Sequence, residues 1–137
     1  FGRPLESPMA GQKLSAKATE TVEFLDFMLV QCEHLAHAAE EYASAKKPAQ
    51  IEWVRQQISR DLGHLRQRAM VRNLGVLADE AGRLGVAAST GGSQAMKTRI
   101  LRDGVAALRA AVDRFRKAKV DADVAEQKKK VHADEGE

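Results

Sequence analysis

Apolar residues recur at helical spacing along most of this chain, and that periodicity limits what it can fold into. Leu25, Met28, Leu29, Cys32, Leu35, Ala36, Ala39 and Tyr42 fall at intervals of three and four, so they share one side of a helix. Three later segments repeat the habit. Ile51, Val54, Ile58, Leu62, Leu65 and Ala69 make the second stripe, and Leu77, Ala81 and Leu84 a shorter third. Ile100, Leu101, Val105, Leu108, Val112 and Phe115 make the fourth. No β-branched run alternates with period two, so no strand is expected. Aromatics make up only 4% of the chain. The core must therefore come from Ala, Leu, Val and Ile, small enough to let helices approach closely.

Boundary signals divide the 137 residues into one domain with two appendages. Residues 1–14 carry Gly, Pro and Ser without a period and read as a disordered arm. Ser15 or Thr19 can cap a first helix running to about Ala45, where Lys46, Lys47 and Pro48 follow. The second helix is expected over about 49–72, with Gly63 inside it either allowing a close helix approach or exposing a neighbouring side chain. Asn73 and Gly75 supply the break, since both tolerate positive φ. A short third helix is expected over about 76–87. Gly91 and Gly92 then mark a loop, and Ser89 or Ser93 can cap a fourth helix ending near Val120. Residues 121–137 lose the stripe and read as a charged, frayed or disordered tail. Trp53 and Tyr42 flank the first connection and are expected to pin it. Over 15–120 the expectation is an all-α, antiparallel up-down four-helix bundle.

Charge is unevenly spread. Residues 1–46 hold four basic and seven acidic groups, whereas 47–87 hold seven and four, and 88–137 eleven and eight. An acidic first helix should attract basic neighbours. The overall charge of +3 does not by itself imply a nucleic-acid partner. Arginine rows occur at 55, 60, 66, 68 and 72 and at 102, 109 and 116, but few aromatics are available to stack bases, so nucleic acid is disfavoured as a partner. Gly91-Gly92 lacks the spacing and lysine of a phosphate loop. Glu33, His34, His37, Glu40 and Glu41 cluster on the first helix, yet only Asp61 and His64 could answer from another. No metal and no cofactor is expected. Cys32 excludes an internal disulfide and falls on the apolar stripe, so it should be buried. No targeting or membrane-spanning segment is visible, and a cytoplasmic protein is expected.

The second helix carries the candidate site. Asp61 and His64 share a face with Arg60, Gln67 and Arg68, and Arg72 follows one turn later. Asp61 could orient His64 for proton transfer, but no nucleophile is identifiable. The stretch from His64 through Asn73-Leu74-Gly75, followed by Leu77-Ala78 and then Ala81 and Leu84, resembles a histidine-phosphotransfer domain. That family is a four-helix bundle with an exposed histidine on its second helix, preceding a short turn. The resemblance implies His64 as phosphoryl carrier and a receiver domain as partner. The pattern departs from the family's His-x-x-Lys-Gly: Gln67 and Arg68 stand in the last two places, and anchoring on Asn73-Leu74-Gly75 aligns Leu65 with the acceptor. The expected function is a signalling module that docks a partner protein through Arg60, His64, Gln67, Arg68 and Arg72. Phosphotransfer by His64 and association with nucleic acid are the alternatives.

Overall fold

The computed structural model describes the backbone of residues 14–135 and side chains as far as Lys130. Apart from Leu14, the arm expected over 1–14 lies outside the described residues. Four helices follow in order, with no strand among the described residues: α1 (Ala16–Ser44), α2 (Pro48–Val71), α3 (Gly75–Ser89) and α4 (Gln94–Glu135).

Local chemistry sets the ends. Ser15 caps α1, its hydroxyl accepting from the Ala18 amide at 3.1 Å. Pro48 opens α2, where its missing N–H and fixed φ cost nothing. The end of α2 is a Schellman motif. Asn73 turns left-handed (φ 61°), its amide donates to Met70 at 3.0 Å, and the Leu74 amide donates to Ala69 at 2.9 Å. Ser93 caps α4 by accepting from the Met96 amide at 3.1 Å. Gln94, the first residue of α4, donates its amide to the carbonyls of Tyr42 and Ala45 at 2.7 and 2.8 Å, satisfying acceptors that α1 leaves open.

The helices close around one core. α1 packs chiefly on α4 and α2 chiefly on α3, while α3–α4 and α1–α2 contacts complete the circuit. Leu25, Met28, Ile58, Leu62, Leu77, Leu101, Leu108 and Val112 are its largest fully buried aliphatic side chains, drawn from all four helices. Partners on α1 and α4 run in opposite numerical order: Ser15 meets Asp123, Asp26 meets Arg116, Glu40 meets Arg102 and Tyr42 meets Gln94. These contacts draw acidic α1 residues onto arginines of basic α4.

Several sequence expectations are corrected. α4 does not stop near Val120 but continues helical to Glu135. Asp123 gives this continuation a tertiary anchor, accepting from the Ser15 amide at 2.9 Å and its hydroxyl at 2.8 Å. α3 runs two residues further than expected, to Ser89. Ile100 is 38% exposed rather than core, and Thr98 and Ala111 are buried on α4 instead. Trp53 pins nothing. It is 59% exposed, whereas Tyr42 is buried. Gly63 is not a close approach, because a methyl there would meet nothing within 4 Å. Gly104 is the close approach, since a Cβ would run into the Leu84 side chain, including Cδ2 at 3.2 Å and Cγ at 3.3 Å.

Candidate functional site

The four arginines of α2 and Arg72 at its C-cap do not form one basic surface, because the helix points them in different directions. Arg55 is held by Glu52, with its Nε donating at 2.8 Å, and this bond draws the Glu52 carboxyl down to about 2. Arg66 lies across Gly82 of α3, where an added Cβ would come within 3.0 Å of its Cδ and 3.2 Å of its Nε. Arg60 is exposed and donates to Gln57 on its own helix. Arg68 and Arg72 turn toward α1. The guanidinium of Arg68 sits 4.8 Å from the centroid of the Phe27 ring, and that of Arg72 sits 4.3 Å from the Phe24 ring. Cation–π attraction of this kind is worth about 0.5–1 kcal/mol at exposed sites. The two rings are themselves 5.8 Å apart, so they form one platform under both cations.

A shallow groove follows this platform between α1 and α2. Glu20, Glu23, Phe24, Phe27, Arg68 and Arg72 line one half of it. Gln31, Asp61, His64 and Leu65 continue it toward the middle of the bundle, with Phe27 and Arg68 shared between the halves. Neither Arg68 nor Arg72 forms an ion pair with a described residue. By contrast, Arg55, Arg83, Arg102 and Arg116 each do. On either side of the α2–α3 turn, Met70 (50%) and Val71 (70%) at the end of α2 and Val76 (61%) at the start of α3 are exposed.

His64, Gln67, Arg68 and Arg72 are all exposed. The structure brings Asp61, His64 and Arg68 together on the groove and leaves Arg60 and Gln67 outside its lining. Asp61 does not orient His64, since no hydrogen bond joins the two among the described residues. The phenylalanine platform went unrecognised in the sequence. The signal lies in the register of Phe24 and Phe27 against Arg72 and Arg68 on another helix, which no local pattern encodes.

The remaining candidates separate. Glu40 of the acidic-histidine cluster accepts both Nε and Nη2 of Arg102 at 2.6 Å, while Glu33, His34, His37 and Glu41 are exposed on α1. Among the described residues no group of three or more His, Cys, Asp or Glu could hold a metal ion. Cys32 is 1% exposed, and burial pushes its thiol up to about 11, so it carries little thiolate near neutral pH. Among the described residues no helix is long and apolar enough to cross a membrane. Comparison with protein families, curated proteins and solved structures returns no match.

Proposed function

We propose that this chain is an antiparallel up-down four-helix bundle that docks the acidic surface of a partner protein on its α1/α2 face. Short connections and the opposite numerical order of paired residues support the topology. One observation carries the docking reading: Arg68 and Arg72 rest on Phe27 and Phe24 without a described carboxylate partner. A guanidinium lying over a ring keeps N–H donors for a carboxylate, and Arg72 spends only Nη1, on the Arg68 carbonyl at 3.4 Å. The ring shields one face from water and limits the rotamers lost on binding. Arginine and aromatic side chains are also the residues in which interface energy concentrates. Met70, Val71 and Val76 give a partner an apolar edge to cover.

The resemblance to phosphotransfer domains makes a receiver domain the first partner to try. A second reading follows from His64, exposed on the same groove beside Arg68. In that reading a neutral ring nitrogen attacks the phosphorus of the receiver's phospho-aspartate. The N–P bond forms as the P–O bond to the aspartate breaks, the aspartate leaves as a carboxylate, and Arg68 balances the charge of the transferred phosphoryl group.

The test titrates the isotope-labelled chain with a receiver domain and, separately, with an acidic helical peptide. Docking predicts amide shifts on the α1/α2 face and about tenfold weaker binding for Arg68→Ala or Arg72→Ala. Unchanged affinity in both variants, or no shift with either probe, removes the reading. A phosphorylated receiver tests transfer: acid-labile, base-stable label that persists equally in His64→Gln rejects phosphotransfer. For nucleic acid, binding to DNA that does not weaken as salt rises counts against phosphate contacts.

A further inference from the structure

The α1/α4 face carries a charge ladder with one rung open. Asp26, Glu33 and Glu40 stand seven residues apart on α1, and Arg102, Arg109 and Arg116 stand seven apart on α4. Seven residues are close to two helical turns, so each trio keeps one direction. The outer rungs are closed, Asp26 by Arg116 at 2.7 Å and Glu40 by Arg102 at 2.6 Å. Glu33 and Arg109 form no ion pair, and Arg109 has none with Asp113 or any other described carboxylate.

A cavity of about 200 Å³ opens at the vacant rung. Its walls are the small apolar side chains of Cys32, Ala36, Val105 and Ala106. The closed Glu40–Arg102 pair borders it, and Arg109 supplies its uncompensated cation. The volume equals roughly seven waters at about 30 Å³ each, and the charged side chains on it are those of Glu40, Arg102 and Arg109 alone. It is below the roughly 300–1,000 Å³ of drug-sized sites. An apolar slot of this size with one guanidinium fits a short chain ending in an anion.

We propose that this cavity binds a small monocarboxylic acid with an unbranched apolar chain, its carboxylate taken by Arg109 and its chain lying between Ala36 and Ala106. The carboxylate occupies the place that an α1 acid holds at the neighbouring rungs. The site lies on a different face from Arg68 and Arg72, so it stands or falls apart from the docking reading.

The test titrates the labelled full chain with sodium octanoate, using octanol as the uncharged control, and follows amide shifts. Octanoate should move the amides of Cys32, Ala36, Ala106 and Arg109, and octanol should bind about tenfold more weakly. Arg109→Gln should weaken octanoate about tenfold with an unchanged circular-dichroism spectrum. Ala106→Leu, which fills the slot, should abolish the shifts while leaving the fold intact. Equal binding of octanol, or of octanoate to Arg109→Gln, overturns the proposal. So do shifts that map elsewhere. Binding seen only in Glu33→Gln also overturns it, because Glu33 then closes the rung itself.

Discussion

Two glycines in helix interiors behave oppositely because of what surrounds them. Glycine costs a helix about 1 kcal/mol relative to alanine. At Gly63 an added methyl meets nothing within 4 Å, so Gly63→Ala should recover that penalty and raise unfolding stability by about 0.5–1 kcal/mol. At Gly104 the same methyl meets Leu84, which is itself buried and has no free end to swing away. Overpacking of this kind costs about 1–3 kcal/mol, so Gly104→Ala should lose stability despite its better propensity. Urea unfolding of the two variants checks the opposed signs. Pairing Gly104→Ala with Leu84→Ala should give less than the sum of the two losses, because the smaller residue vacates the contact. The sequence shows both glycines inside helical patterns but cannot say which one a neighbour crosses. That depends on the register of α3 against α4, which no local pattern encodes.

Helices and their caps were largely legible, because both signals are local. Ser15, Pro48, Asn73 and Ser93 act where their chemistry places them. The end of α4 was not legible, since the apolar stripe fades after Phe115 while a contact from the far end of the chain supports the helix. Asp123 accepts from the Ser15 backbone amide, the Ser15 hydroxyl and Gln127. These bonds, the backbone bond first, hold its carboxyl below its ordinary 3.8. An acid with a depressed native pKa stabilises the fold above its unfolded value and loses that contribution as pH falls through the lower native value. The latch should therefore be intact above about pH 4 and open progressively below 3.8. The Ser15 amide resonance should report this with a midpoint below 3.8. In Asp123→Ala the titration should vanish, with faster amide exchange at Ala18 and along α4 beyond Val120. An unchanged titration in that variant would assign the event to another carboxylate.

Across the whole molecule, an acidic α1 beside a basic α4 invites the view that charge assembles the bundle. The composition points that way, and the pairs Asp26–Arg116 and Glu40–Arg102 realise it. The candidate site resisted sequence reading for a related reason. Arginine rows look alike along a chain, and only the fold decides that Arg102 meets Glu40 while Arg68 and Arg72 meet phenylalanines. The magnitudes argue against charge as the driving force. Both ladder pairs are partly exposed, with side-chain accessibilities between 31% and 57%. Such pairs contribute about 0.2–1 kcal/mol each and are screened by salt. A buried leucine such as Leu108, 1% exposed, is worth about 2–5 kcal/mol when cut to alanine. Chloride salt at about 1 M, where the Debye length is about 3 Å, should therefore change unfolding stability by less than about 2 kcal/mol. Leu108→Ala should exceed that at any salt concentration. Arg102→Ala should cost far less than Leu108→Ala at low salt and nearly nothing at high salt. Urea unfolding at both salt levels decides the matter. If salt removed more stability than the leucine truncation, opposite charge rather than the dry interior would be what joins α1 to α4.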